Sequence, residues 1–452
     1  MSKLLLKNIS TLFISKEDKD LHNVDLLVND WKIEKIANNI KVLNSDGLKV
    51  LDCKNCVVIP GLVNTHHHFF QTLTRNIPQV QNAKLFDWLV FLYEIWKNID
   101  DEGIYYSSLT AIAELLKSGC TLTTDHHYLY SKKMKDVMAV QFKAAKLLGI
   151  RFAPTRGSMS LSKKDGGLPP DSVVQDEDEI LANSKAMIEK YNDLSINSMS
   201  RIILAPCSPF SVTKKSMRDA ADLARKYNVL LHTHLCETKD EEEQSLKMYA
   251  IRPLDLMRDC GFIGSDVFYA HGIWFNDDEL KMLKKEGVSI AHCPSSNMRL
   301  ASGICRTREM VDWGINVSIA VDGSASNDSS NILNELRNAL LLSRVKYKEN
   351  GLNAREVIEM GSINGAKTLG YREKLGKLKE GWIADIAVFD TNTISSVGSH
   401  SDEVASLVFT DTKYAKYTIV NGRVAVDNYK LVGINEEEII KNANRIAKAL
   451  YI

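Results

Sequence analysis

The chain has 452 residues, and its 57 Lys and Arg balance its 57 Asp and Glu, so the formal net charge is zero. A neutral chain has no global field to draw it to nucleic acid or to an anionic membrane surface, which leaves a small, weakly charged molecule as the expected partner. No run approaches the ~18 apolar residues that span a bilayer, and the N-terminal stretch lacks the apolar core of a signal peptide, so a cytoplasmic location is expected.

Short strand patterns fill the N-terminal stretch, at 4–9, 24–28, 32–37 and 50–53, with no helical periodicity. Cys53-Lys54-Asn55-Cys56 lacks the second pair that a zinc ribbon needs and reads as a strand end with two small buried thiols. From residue 57 to about 375 the pattern becomes strand, loop, helix, repeated. Eight near-continuous apolar runs, at 57–64, 121–125, 151–155, 202–206, 229–233, 267–270, 288–291 and 317–321, read as strands buried on both faces. Amphipathic patterns at 104–117, 134–148, 177–191, 217–227 and 279–285 separate them. Gly119, Gly149, Gly287 and Gly314 stand where helix C-caps are expected. Eight such units make a closed (β/α)8 TIM barrel. An open doubly wound sheet is the alternative, but no G-x-G-x-x-G follows a strand.

The segment 69–97, after the first strand, is rich in aromatics (Phe69, Phe70, Phe86, Trp88, Phe91, Tyr93, Trp96) and reads as a lid, a pocket wall or a subunit contact, which favours a homo-oligomer. Past the barrel, a strand at 383–389 and a hairpin at 417–426 around Asn421-Gly422 resume the strand-rich character. An amphipathic helix at 436–450 is expected to pack on them. The expected organisation is α/β: a barrel over 59–375, inserted into a small β-sandwich built from 1–58 and 376–452.

Nine of the eleven histidines lie between His66 and His292, mostly at the ends of those runs. His66 and His68 flank His67 at the end of the first strand. Residues i and i+2 face the same way, so two imidazoles enter one volume while His67 points elsewhere. His234 offers a third imidazole after the fifth strand, and Asp322 a carboxylate after the eighth, which neighbours the first in a closed barrel. Three His and one carboxylate with an open position describe a catalytic metal site, which suits zinc, iron or a similar ion. Glu237, three residues after His234, is placed to relay protons without binding the metal. His271 ends the sixth strand and is placed to bond the attacking water or an oxyanion. His292 reads as ligand-orienting structure, and His232, one layer deeper than His234, as packing. For His126 and His127 a pocket role and simple burial both stand.

Pro60-Gly61-Leu62-Val63-Asn64-Thr65-His66-His67-His68, His234-Leu235-Cys236-Glu237, Ala270-His271, the run from Ala291 to Gly303 and Val321-Asp322-Gly323-Ser324-Ala325-Ser326-Asn327-Asp328 together resemble the amidohydrolase superfamily. The branch is that of the cytosine, guanine and triazine aminohydrolases. Phe69 to Arg75, Arg156 to Ser160 and Gly166 to Ser172 are most similar to the 8-oxoguanine deaminases. The resemblance implies one divalent metal, Zn2+ or alternatively Fe2+, held by His66, His68, His234 and Asp322. It implies Glu237, His271 and Asp322 as catalytic groups, and Gln71 on the polar edge of a ring. Trp88 and Arg156 are further pocket candidates. Members with two metals bridge them by a lysine ending the fourth strand; here that strand reads Ile202-Ile203-Leu204-Ala205-Pro206-Cys207-Ser208, so a single metal is expected. The implied reaction is hydrolytic loss of an exocyclic amine as ammonia, best matched by 8-oxoguanine to urate. Other rings (guanine, cytosine or isocytosine, pterin, hydroxytriazine), cyclic-amide hydrolysis and an inactive scaffold are the alternatives.

Overall fold

The computed structural model describes residues 3–42, 47–371 and 374–451. The barrel strands follow one another in chain order: Leu62–Asn64, Cys120–Thr123, Arg151–Phe152 continued by Thr155–Ser158, Ile203–Pro206, Leu230–Leu235, Val267–His271, Ser289–His292 and Asn316–Ile319. Neighbours pair in parallel, in two ladders. His126–His127 carries the second strand into the larger ladder by pairing with Thr155 and Arg156. The eighth strand returns to the first, where the Thr65 amide donates to the Ile319 carbonyl at 3.2 Å and the Asp322 amide to the His66 carbonyl at 3.1 Å. Asp322 and His66 therefore stand side by side where the barrel closes.

These strands are buried on both faces, so they are rich in apolar residues, with polar ones gathered mainly toward their ends. Val267–His271, for example, is buried at every position. The helices at Asp101–Lys117, Val137–Leu148, Glu177–Tyr191, Lys214–Tyr227 and Asp277–Glu286 lie where the amphipathic patterns place them. All the mouth residues come from the C-terminal strand ends, where barrel enzymes carry their chemistry.

The single strand expected over 57–64 is in fact two. Cys56–Pro60 pairs antiparallel with Ile386–Asp390 in a sheet outside the barrel, and Leu62–Asn64 opens the barrel. The break is at Gly61, whose amide donates to the Asp385 carbonyl at 2.9 Å. A Cβ there would lie 2.3 Å from Thr121 Oγ1, so the close approach of the second barrel strand requires glycine. Hence Val58, Ile59 and Pro60 all belong to the outer sheet, and the expected boundary at 58/59 falls inside a strand. The outer sheet has nine strands among the described residues and joins the first 60 residues to Tyr417–Val420, Arg423–Asp427 and Lys430–Leu431. Its hairpin turns at Asn421 (φ 51°) and Gly422 (φ 77°), the left-handed pair that a two-residue type I′ turn needs.

Arg151 on the third barrel strand ties the two parts together. Its guanidinium holds the Asp385 carboxylate through two bonds, Nη2 to Oδ1 at 2.9 Å and Nε to Oδ2 at 3.2 Å, with both side chains almost fully buried. Asp385 Oδ1 also accepts the Asn421 amide at 2.7 Å. Asp385→Ala is expected to cost about 3–5 kcal/mol, because it strands a buried cation. Urea unfolding should show the loss, with metal content unchanged.

The aromatic segment after the first strand is largely helical and packs at the barrel mouth. A 3₁₀ turn at Phe69–Thr74 leads to a helix at Leu85–Trp96. Leu85, Trp88, Leu89, Leu92, Tyr93 and Trp96 recur at i, i+3, i+4, i+7, i+8 and i+11, one apolar stripe that the helix buries over the barrel mouth. All eight cysteines are buried and unbridged, and burial pushes the Cys56 thiol up to about 12, so the Cys53 and Cys56 pair is inert packing. Among the described residues no helix is long and apolar enough to cross a membrane.

Candidate active site

The mouth gathers side chains from five strand ends. His68 Nε2 lies 3.2 Å from Asp322 Oδ1 and 3.2 Å from His234 Nε2, and His66 Nε2 lies 3.4 Å from Asp322 Oδ1. Every one of these residues except His234 is almost fully buried, and His234 is partly so.

The far nitrogens of the three rings define their tautomers. His68 Nδ1 donates to the His126 carbonyl at 2.7 Å, and His234 Nδ1 to the Cys207 carbonyl at 2.6 Å. His232 Nδ1 donates to the Phe268 carbonyl at 2.9 Å, so its Nε2 must accept from His66 Nδ1, 2.8 Å away. Each ligand ring therefore turns an Nε2 lone pair into the same volume, and His66 Nε2 has no partner in the protein. Burial lowers the pKa of His66 and His234 well below the usual imidazole range, which keeps them neutral. Three imidazole lone pairs and a carboxylate converging at these distances repel one another unless a cation lies between them. The donor set fits a divalent metal with an open coordination position.

His232, read as packing, instead sets the tautomer of a ligand. Such outer partners are typically worth 10–100-fold in metal affinity. His232→Ala is expected to weaken metal binding by that factor in chelator competition, and His232→Gln, whose amide can both accept and donate, to recover part of it. His126 also belongs to the cluster: its ring stacks on His234 at 4.7 Å, its Nε2 bonds the Ala205 carbonyl at 3.0 Å, and its buried Nδ1 is unpartnered. His127 turns to the Leu129 carbonyl, and His67 to Ser330 Oγ at 2.9 Å, outside the cavity.

Glu237 Oε2 stands 3.4 Å from His271 Nε2, and Ser302 Oγ donates to Glu237 Oε1 at 3.1 Å. Glu241 accepts the Cys236 and Glu237 amides at 3.0 and 2.9 Å and so fixes the turn that presents Glu237. Asn297 Nδ2 donates to His271 Nδ1 at 3.0 Å, which leaves the His271 proton on Nε2, facing Glu237. Cys236 (φ 54°), His271 (φ 73°) and Asp322 (φ 62°) all hold left-handed backbone at their strand ends. Non-glycine residues adopt it at a cost of order 1–3 kcal/mol, and such strain gathers at functional sites. Of these helpers, His292 was the expected orienting group; it is buried but does not line the cavity, and Asn297 performs the orientation.

A small cavity of about 40 Å³ covers the cluster, lined on the barrel side by His68, His234, Glu237, His271 and Asp322. Gln71 and Trp88 line it as well. Arg156 does not. Its guanidinium is spent on Asn183 Oδ1 at 2.6 Å, Gln175 Oε1 at 3.1 Å and the Gly157 carbonyl, over the Tyr130 ring. A buried arginine with its donors satisfied and its face stacked braces the wall behind the site and does not meet a ligand. At the fourth strand end, where a bridging lysine would stand, Cys207 lines the cavity.

A family model described as the amidohydrolase family matches residues 57–425. The chain belongs to the amidohydrolase family. This amidohydrolase is 42% identical to the 8-oxoguanine deaminase of Pseudomonas aeruginosa over 94% of each chain. It is 32% identical to the 5′-deoxyadenosine deaminase of Methanobrevibacter smithii, covering 94% of this chain and 93% of that one. Among solved structures, the zinc-complexed atrazine chlorohydrolase of Arthrobacter aurescens superposes with a TM-score of 0.92 at 29% identity, over 98% of this chain and 100% of that chain. Fold and family thus agree with the barrel and with a divalent metal at its mouth.

Proposed function

We propose that this amidohydrolase removes an exocyclic amino group from a purine-like heterocycle by hydrolysis, releasing ammonia, with 8-oxoguanine giving urate as the reaction. The observation that carries the reading is the Glu237–His271 pair at 3.4 Å beside the four-ligand cluster. It sets a proton donor and a hydrogen-bond donor next to the place where a water would be activated. The similarity to the Pseudomonas 8-oxoguanine deaminase supports the choice of ring.

His66, His68, His234 and Asp322 would hold the metal, zinc in this reading, which supplies a water acidified towards ~7. Asp322 would take up a proton from the attacking water. His271 Nε2, its tautomer set by Asn297, orients the attacking oxygen. Glu237 gives a proton to the ring nitrogen beside the carbon that carries the amine, which makes that carbon electrophilic. The oxygen adds, the Asp322 proton passes to the amine, and ammonia leaves as the added hydroxyl becomes the ring carbonyl and returns its proton to Glu237. One water is consumed and one ammonia released, with no redox change. Gln71 would bond the polar edge of the ring, and Trp88 would pack on its face.

With the boundary moved to the break at Gly61, the same reading divides the chain into a composite terminal unit (1–60 with 376–452) and a catalytic barrel (61–375). It places the enzyme in the cytoplasm as a homo-oligomer, and the unbridged thiols suit a reducing compartment. An ammonia-release panel of 8-oxoguanine, guanine, cytosine, isocytosine, pterins and hydroxytriazines tests it. Turnover is expected to be fastest on 8-oxoguanine. Ammonia from none of the rings, or chloride from a chlorotriazine alone, would overturn the reading.

A further inference from the structure

Tyr93 is 1% exposed, lines the cavity, and its hydroxyl is buried with no partner in the protein. The mechanism above gives it nothing to do. A buried hydroxyl without a partner costs about 1–3 kcal/mol, whereas phenylalanine would fill the same space without that cost. Tyr93 stands on the buried stripe of the lid helix, and its ring meets Trp96 edge-on at 5.9 Å. The hydroxyl is therefore held in place over the cavity by packing.

Its surroundings define what it can meet. The rest of the lid-side wall is apolar: Leu85, Trp88, Leu89, Phe210 and Leu300. Among the described residues no lysine or arginine lines the cavity. On this lid-side wall, away from the metal ligands, a phosphate would lose its hydration with no cationic side chain to meet it, and a ribose would press its hydroxyls on hydrocarbon. Gln71 Oε1 is the other unpartnered polar atom on this wall, and it packs so closely over Gly323 that a Cβ there would come within 1.9 Å of it. Gln71 thus lies next to Asp322, while Tyr93 reads the ligand from the lid.

We propose, resting on the deaminase reading, that Tyr93 is a specificity-determining residue that donates its hydroxyl proton to a carbonyl oxygen of the ring. The site then selects free, uncharged oxo-heterocycles against nucleosides and nucleotides.

The experiment compares wild type with Tyr93→Phe, both metal-loaded, on rings that differ by one carbonyl: 8-oxoguanine against guanine, and guanine against 2-aminopurine. 8-Oxoguanosine is the nucleoside arm. Tyr93→Phe is expected to lower kcat/KM about 10–100-fold on the rings that carry the carbonyl it reads, and to leave the ring lacking it unchanged. Wild type is expected not to turn over the nucleoside. Calorimetric binding of the same rings to Glu237→Gln, with and without Tyr93→Phe, reads the same contact without turnover. Equal losses on every ring, no loss on any, or nucleoside turnover at the rate of the base would overturn the inference. If no ring yields ammonia yet Tyr93→Phe weakens binding of the oxo-rings alone, the deaminase reading falls and this contact stands.

Discussion

Glu237→Gln is expected to keep a full equivalent of metal and to lose about 10²–10⁴ in kcat, the usual worth of one positioned proton relay. The substitution keeps the shape of the side chain and its bond from Ser302, and removes only the transferable proton. Glu237 is not among the groups whose nitrogen and oxygen atoms converge on the metal volume. Its surroundings load it with a proton: burial, then the neighbouring charges of Asp322 and Glu241, raise its pKa well above the usual carboxylate range. A divalent cation held by the neighbouring ligand set would oppose this rise. The wild type should therefore lose kcat/KM on the alkaline side as Glu237 deprotonates, and the Gln variant should lack that limb. Elemental analysis with stopped-time ammonia assays checks both statements. A fully active Gln variant would remove Glu237 from the mechanism.

His66→Ala is expected to lose the metal and, with it, all measurable turnover. His66 is fully buried, its Nε2 is unpartnered, and its Nδ1 is tied to His232, so alanine removes a donor held in a fixed orientation. In the wild type, removal of the metal by a chelator should lower the unfolding temperature as well as abolish activity. Four electron-rich groups are left facing one another, and a ligand present at a thousand times its Kd contributes about 4 kcal/mol to the folded state. Adding zinc back should restore both properties to the wild type and neither to His66→Ala. Normal metal content in the variant would overturn the ligand set.

The proposed ligands and the proposed acid stand out in the chain because each is a local signal. A strand period of two puts His66 and His68 on one side, apolar runs mark the strand ends, and Glu237 and His271 stand at fixed offsets from those ends. The helix at Leu85–Trp96 is equally local, since its apolar residues recur at i, i+3, i+4 and i+7. Arg156 misled because an arginine at a strand end looks the same whether it faces the mouth or the wall behind it; its distance in sequence from Asn183 and Gln175 hides the partners that decide the matter.

What the sequence by itself determined is the repeating period, the strand ends and the chemistry attached to them, since those follow from backbone geometry within a few residues. Only the tertiary structure decided the rest. It showed that His232 orients His66 across 166 residues, that Asn297 sets the His271 tautomer, that Glu241 anchors the Glu237 turn, and that the strand before the barrel breaks at Gly61. A hydrogen bond between distant segments leaves no periodic trace in either of them, because its direction depends on how the closed barrel brings its strand ends together.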